Sequence, residues 1–185
     1  MDANARSRLI DTTSRLLQTQ GYHNTGLNQI LAESQSPKGS LYHYFPGGKV
    51  DLAIAAIEHS ARELSQKLVE LCLSKPGAQA GLEAVIEYFQ TELEQSNYQK
   101  GCPVATITLE QAAFSEPIQK ACEATYAGWQ NGLEAWLQAH QVSDAPFVAE
   151  HLLTLIEGAL VLARARRSGE PLRKIRQSLP LLLNR

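Results

Sequence analysis

The chain has 185 residues, of which 44% are hydrophobic and 19% are charged. This length can bury a substantial core, and this composition is that of a globular protein, which excludes intrinsic disorder. The net charge of -2 argues against nucleic-acid binding over the whole surface. Residues 1–50, however, carry five basic and three acidic side chains, whereas residues 51–185 carry twelve and sixteen. A mildly basic head on an acidic body suits a protein whose head alone meets phosphate.

The N-terminal residues contain no apolar segment of the kind that directs secretion. The most apolar stretch, Leu152 to Ala165, contains Glu157 and Arg164, and we interpret it as too short and too charged to cross a bilayer. The three cysteines show no metal-ligand spacing such as C-x-x-C. We therefore expect a cytoplasmic protein with reduced thiols, no metal site, no cofactor and no membrane partner.

The first fifty residues predict three helices. Their expected ranges are 3–20, 27–34 and 37–45. Gly21 ends the first helix, and Thr25 is placed to cap the second. Ser36 is a suitable N-cap for the third helix, in which Pro37 occupies the first turn. Two short helices joined by a tight turn and braced by a longer one predict a helix-turn-helix, the DNA-binding motif.

The third helix is the predicted recognition helix, which would contact DNA. Leu41 and Phe45 are apolar and are expected to anchor this helix to the core. The outward positions carry small, basic or aromatic hydrogen-bonding side chains, namely Lys38, Ser40, Tyr42, His43 and Tyr44. Such side chains suit phosphate oxygens and base edges and do not suit a core.

The rest of the chain also predicts helices. A long fourth helix, 49–73, would extend about 36 Å and link the head to the body. Further helices are expected at about 81–95, 104–115, 117–140, 146–168 and 172–182. We therefore predict an all-α fold, with a helix-turn-helix domain at 1–48 and a larger helical domain, the body, at 49–185.

The helix at 146–168 is apolar on two faces, so both faces must be covered. One face would pack within its own domain and the other against a second copy of the chain. With the last helix it would form a four-helix interface in a homodimer. The predicted interface residues are Leu152, Leu155, Ile156, Ala159 and Leu179.

The ordered pattern of the head resembles the TetR family of bacterial transcriptional repressors. The resemblance lies in Leu27 to Glu33 followed by Pro37 to Phe45, with a Gly21 to Thr25 link and Lys49 opening the fourth helix. Further along, Gly101-Cys102-Pro103, with Thr106 and Glu110 after it, is similar to a subgroup related to LmrA and YxaF-type regulators.

This resemblance implies that a double-stranded DNA operator is the partner of the head. The implied DNA-binding residues are Thr25, Asn28, Pro37, Lys38, Gly39, Ser40, Tyr42, His43, Tyr44 and Lys49. Gly39 would allow close approach to the major groove, while Thr25 and Lys49 would bind phosphate. Gln35 departs from the family, which usually has glycine there. If that position is left-handed, the strain is on the order of 1 kcal/mol.

The family also implies a pocket for a small-molecule inducer in the body. The predicted lining is Phe89, Cys102, Thr106, Glu110, Tyr126 and Trp129. Core packing is the alternative for the aromatic residues. A buried Glu110 would need a partner or a cationic or hydrogen-bonding ligand, and the alternative is an exposed glutamate.

We therefore expect a homodimeric, ligand-responsive repressor that binds a palindromic operator. One alternative is a redox-sensing regulator that acts through oxidation of Cys102. Another is a helical interaction module without a DNA partner. The sequence contains no nucleophile elbow, glycine-rich phosphate loop or zinc spacing, so we predict no catalytic residues and no enzymatic activity.

Overall fold

A computed structural model describes residues 3–183, which form helices and no strand. The helices are α1 Ala3–Gln20, α2 Leu27–Glu33, α3 Lys38–Tyr44, α4 Lys49–Leu73, α5 Gly77–Gln95, α6 Pro103–Gln111, α7 Glu116–Ala139, α8 Ala145–Arg166 and α9 Glu170–Leu183. The predicted all-α fold class is confirmed, and the bounds of α1 and α4 agree with the sequence-based ranges.

The chain divides into two compact units. The first contains the described residues up to Glu63 together with Cys102–Thr125, and the second contains Leu64–Gly101 and the residues from Tyr126 onward. The unit that holds the three-helix head therefore also contains α6 and the first part of α7. Sequence reasoning had placed both in the body, because they lie more than fifty residues from the head along the chain.

The head is built on a cluster of apolar side chains from α1 to α4. Its buried members are Leu9, Ile10, Leu16, Ile30, Leu41, Phe45 and Leu52. The two predicted anchors of α3, Leu41 and Phe45, are 0% and 3% exposed. Burying two large side chains of a seven-residue helix fixes which face of that helix points outward, since a helix this short is not stable alone.

The predicted side-chain caps of α2 and α3 are not formed. The N-cap residues are Gly26 and Pro37, and neither makes a side-chain capping hydrogen bond. Thr25 is fully buried, and its hydroxyl donates to the Gly21 carbonyl at 2.6 Å. The Ser36 hydroxyl donates to the Ser34 carbonyl at 3.2 Å. The Thr25 side chain therefore stabilises the link between α1 and α2 and cannot reach phosphate, contrary to the prediction.

In the second unit, α8 packs against α5 and α9. Ala145–Arg166 is the one helix of the described residues with the length and apolar composition to cross a membrane, and it extends beyond both ends of the apolar stretch Leu152 to Ala165. Packing explains much of its apolar character. The buried residues of α8 are Ala145, Val148, Ala149, Leu152, Ile156, Ala159, Leu160 and Ala163.

Four of the five predicted dimer residues are already buried inside this unit. Leu152, Ile156, Ala159 and Leu179 are between 0% and 8% exposed, whereas Leu155 is 40% exposed. The four residues form the inner face of α8 and its contact with α9, which corrects the prediction. The sequence of this helix is apolar on two faces. Its pattern therefore does not indicate which face packs inside the unit and which lies outside.

Candidate DNA-binding site

The turn between α2 and α3 contains a left-handed residue. Gln35 has φ +51°, the conformation that glycine adopts without strain. Its N–H and that of Ser36 donate to carbonyls of the last turn of α2, at 3.3 and 3.2 Å. Arg8 of α1 donates from Nε to the Ser34 carbonyl at 3.0 Å. The turn is thus held from both sides, which sets the angle at which α3 leaves α2.

The outer face of α3 is accessible. Lys38, Gly39, Tyr42 and His43 are exposed, and Ser40 is half-buried. On the neighbouring elements, Asn28 and Pro37 are exposed as well. Tyr44 differs from the others, because it is half-buried and packs against the core cluster of the head. Its ring therefore contributes to anchoring α3, and only part of it remains open to a DNA partner.

Gly39 has no conformational or packing reason to be glycine within the protein. Its φ is not positive, and a Cβ placed on it would meet no protein atom within 4 Å. Glycine in a helix costs about 0.5–1 kcal/mol relative to alanine. A residue that weakens a short helix without relieving any contact points to a requirement outside the chain, such as the close approach of DNA.

Glu33, the acidic residue at the end of α2, is paired with a basic side chain. Glu33, at the end of α2, pairs with Arg15 of α1 and accepts a hydrogen bond from Gln29 at 2.8 Å. The hydrogen bond from Arg15 is the main reason why the pKa of Glu33 is lowered. Because its charge is compensated by that of Arg15, Glu33 adds little net negative charge to the head.

Lys49 does not point outward as predicted. Its ammonium group donates to the Tyr22 carbonyl at 2.6 Å and lies 4.1 Å from the centroid of the Tyr22 ring. Burial lowers the pKa of Lys49, and the charge of Glu110 opposes that shift. The predicted phosphate contact of Lys49 is therefore replaced by an internal contact with the link between α1 and α2.

Glu110 of α6 contacts the same link. Its Oε2 accepts hydrogen bonds from the backbone N–H groups of Tyr22 at 2.5 Å and His23 at 3.1 Å. Next to it, the Nε2 atoms of Gln111 and His23 lie 3.0 Å apart. The partner that a half-buried Glu110 requires is thus the protein backbone, so the prediction that its carboxylate lines an open inducer pocket is not supported.

Cys102 and Thr106 are engaged at the N-terminus of α6. Cys102 is the N-cap, and its Sγ accepts from the Ala105 N–H at 3.4 Å. The Thr106 hydroxyl donates to the Cys102 carbonyl at 3.2 Å. Cys102 is 8% exposed. The Cys102 sulfur is therefore buried and caps the N-terminus of α6.

The aromatic residues predicted for the inducer site belong to the second compact unit. Tyr126 and Trp129 pack edge to face with ring centroids 5.6 Å apart, and Trp129 Nε1 donates to Ser65 Oγ at 3.0 Å. Phe89 contacts Tyr88, with centroids 5.5 Å apart. All three predicted residues are half-buried. The six predicted ligand residues are thus divided equally between the two units.

Sequence reasoning missed three residues that shape the site, namely Arg8, Tyr22 and Gln111. Arg8 and Tyr22 act through contacts with residues far away in the sequence, so no local pattern identifies them. Gln111 is 8% exposed, which is unusual for a glutamine. Its position directly after Glu110 is the one available signal, since a glutamate and a glutamine end this helix together.

Comparison with known proteins matches both halves of the chain to one class of regulator. Residues 9–56 match the family described as "Bacterial regulatory proteins, tetR family", and residues 78–178 match "Transcriptional regulator LmrA/YxaF-like, C-terminal domain". The chain is 33% identical to the HTH-type transcriptional regulator LmrA of Bacillus subtilis (strain 168), with 98% of this chain and 97% of LmrA covered.

A second relative and one solved structure are also similar to this chain over nearly its whole length. YxaF, an HTH-type transcriptional regulator of the same Bacillus strain, is 31% identical, with 98% of this chain and 96% of YxaF covered. The crystal structure of Escherichia coli NemR in its reduced form superposes with a TM-score of 0.85 at 26% identity, covering 97% of this chain and 95% of NemR.

Proposed function

Because the chain belongs to the TetR family of bacterial transcriptional regulators, we propose that it is a ligand-responsive repressor that binds a palindromic operator as a homodimer. The family assignment makes it a DNA-binding transcriptional regulator with a helix-turn-helix. Repression, the operator and the inducer form the proposed part. DNA binding of this kind takes place in the bacterial cytoplasm, where we expect the protein to act.

The observation that carries this proposal is the outer face of α3. Leu41 and Phe45 hold the helix down, and Lys38, Tyr42 and His43 are left exposed together. Exposed aromatic and basic side chains along a short, anchored helix are suited to base edges and phosphates. Gly39 supports the same interpretation, because nothing within the protein requires a glycine there.

The arrangement of two such heads follows from helix-turn-helix geometry. In a two-fold symmetric dimer, the two reading helices would enter successive major grooves about 34 Å apart or a little more. A palindromic site would then match the symmetry of the protein. An inducer would release the DNA if it bound more tightly to a state with a different head separation, and its effect is limited by that difference in affinity.

The direct test is binding to a DNA fragment from the promoter of its own or a neighbouring gene. We expect specific, salt-sensitive binding, because phosphate contacts release counterions. Lys38→Ala should reduce the affinity about tenfold and lower the salt dependence by about one unit of slope, whereas Tyr42→Ala should reduce it mainly on the specific site. Fluorescence anisotropy at several salt concentrations measures both effects.

Lys75→Ala is the matched control for Lys38→Ala. Lys75 is also an exposed lysine, but it lies between α4 and α5 in the second unit. Its substitution should leave both the affinity and the salt slope unchanged. Unchanged DNA binding by folded Lys38→Ala and Tyr42→Ala proteins would show that α3 is not the reading helix. Absence of specific binding to any such fragment would remove the repressor proposal.

Inducer binding can be followed by the intrinsic fluorescence of the two tryptophans. Trp129 and Trp136 both belong to the second unit, and Trp129 is half-buried beside Tyr126. A compound that releases the operator fragment should also change the tryptophan fluorescence with the same concentration dependence. Trp129→Phe should remove most of that optical change. An optical change without any release of DNA would argue against the inducer proposal.

A redox-sensing regulator remains the second candidate, favoured by the position of the Cys102 sulfur at the N-terminus of α6. The solved structure of the similar protein NemR of Escherichia coli is described as a reduced form, which is consistent with this candidate. In this case peroxide would release DNA from the wild-type protein, and Cys102→Ser would remain bound. Wild-type DNA binding that is indifferent to peroxide would exclude this candidate.

A further inference from the structure

The link between α1 and α2 forms a small concave site for an anion, and Glu110 of α6 fills it. Gly21 has φ +78°, and the N–H groups of the two residues after it both point to Glu110 Oε2. Successive backbone N–H groups around a left-handed residue form a concavity that binds anions in many proteins. Here the bound anion belongs to the same chain, 88 and 87 residues further along.

The fit between the link and the carboxylate is close. A Cβ on Gly21 would overlap with Glu110 Oε1, so the carboxylate would have to shift to accommodate a larger residue there. Gln111 adds a second contact through the ring of His23, at 3.0 Å. α6 is thus attached to the link by two adjacent side chains, one charged and one neutral.

The charge of Glu110 also requires compensation. The link follows the C-terminus of α1, where the helix dipole is negative and disfavours a carboxylate. Lys49 supplies a positive charge there, since its ammonium group donates to the Tyr22 carbonyl at 2.6 Å. The electrostatic interaction of Lys49 with Glu110 completes a bridge between α6, the link and the first residue of α4.

From this geometry we propose that Glu110 is the positioning residue that couples α6 to the DNA-binding head. Its carboxylate holds the link between α1 and α2, so a shift of α6 moves the base of the head. This inference rests on the proposed function for its consequence, namely a change in operator affinity. The attachment itself can be measured on the free protein without any DNA.

The first experiment is amide hydrogen exchange of the full-length protein by NMR. In the wild type, the amides of Tyr22 and His23 should exchange slowly, because both donate to Glu110. Glu110→Ala should accelerate exchange at these two positions at least tenfold, and Glu110→Gln should lie between the two. The amide of Ile30, which donates to the Gly26 carbonyl inside α2, is the internal reference and should not change.

The control variant is Glu123→Gln. Glu123 is an exposed residue of α7 in the same compact unit, so its substitution removes the same charge without touching the link. Coupling predicts that Glu110→Ala shifts the backbone resonances of α2 and α3, whereas Glu123→Gln does not. Unchanged exchange at Tyr22 and His23, or resonance changes confined to α6, would overturn the proposal.

The last measurement connects the attachment to DNA. On a fragment that the wild type binds, Glu110→Ala should weaken binding at least fivefold at a temperature where it is fully folded, because the head is no longer pre-organised. Equal affinity of Glu110→Ala and wild type would overturn the coupling. Failure of the wild type to bind any DNA would instead reject the proposed function, and the exchange and resonance data would still decide on the attachment.

Discussion

At the scale of single residues, two positions of the head carry residues that do not minimise backbone strain, one a glutamine and the other a glycine. Gln35 occupies a left-handed position at φ +51°, where glycine would be unstrained. Gly39 lies in a helix, where alanine would be more stable. The departure of Gln35 from the family pattern was visible in the sequence, and the structure confirms the left-handed conformation. The reason for Gly39 was not visible, because it depends on the empty space around it.

Gln35→Gly should stabilise the protein. Glycine relieves the left-handed strain but gains freedom in the unfolded chain, so the expected net increase in the free energy of unfolding is about 0.5–1 kcal/mol. For a chain of this size, 1 kcal/mol corresponds to a rise in Tm of roughly 2–4 °C. Gln35→Ala is the control, since it removes the side chain and keeps the strain. A gain in Tm from Gln35→Ala equal to that from Gln35→Gly would show that strain is not the cause.

Gly39→Ala should change stability and DNA affinity in opposite directions. Alanine favours the helix by up to about 1 kcal/mol, and it meets no protein atom within 4 Å. The added methyl group would obstruct the close approach of DNA and reduce affinity about tenfold. Thermal unfolding and anisotropy on the same preparation test both effects. If affinity stays at the wild-type level, the glycine has another cause.

At the scale of elements, the sequence predicted the existence of the helices well and their packing poorly. The bounds of α1 and α4 follow from stop signals, namely Gly21 and the residues around Pro76. α5 begins at Gly77, before the predicted residue 81, because its first turn lacks the apolar stripe used to recognise it. The contact of α6 with the head could not be predicted, since hydrogen bonds across 88 residues leave no periodic signal.

The contact between α6 and the link predicts a non-additive pair of substitutions. Gly21→Ala should destabilise the wild type for two reasons. The positive φ of this position strains an alanine, and the added Cβ overlaps with Glu110. In a Glu110→Ala background only the first penalty remains, so Gly21→Ala should cost less there, by about 1 kcal/mol. Urea unfolding of the four proteins measures the difference. Strictly additive free energies would mean that the carboxylate does not occupy the site next to Gly21.

At the scale of the whole molecule, we expect the proposed homodimer to form through the outer face of α8. Residues at helical spacing along this face are all exposed, and they are mostly apolar or small: His151, Thr154, Leu155, Gly158, Val161, Leu162 and Ala165. As the expected dimer interface, this outer face replaces the inner face of α8, whose residues are buried within the unit. An apolar stripe of this length on a surface helix favours a protein partner, and a second copy fits because the stripe is continuous and self-complementary in chemistry.

Gly158→Trp should therefore convert a dimer into a monomer without unfolding it. Gly158 lies between Leu155 and Leu162 on the outer face, and a Cβ there would meet no atom of its own chain within 4 Å. In the proposed dimer the indole would separate the two α8 helices, whereas in the single chain this position is exposed. Sedimentation equilibrium should show a dissociation constant raised at least a hundredfold. Fluorescence anisotropy should show that operator affinity falls in parallel, because a monomer engages only one half-site. Gly132→Trp on α7 is the matched control, since Gly132 is also exposed, helical and uncrowded. A Gly158→Trp protein that stays dimeric would place the interface on another surface.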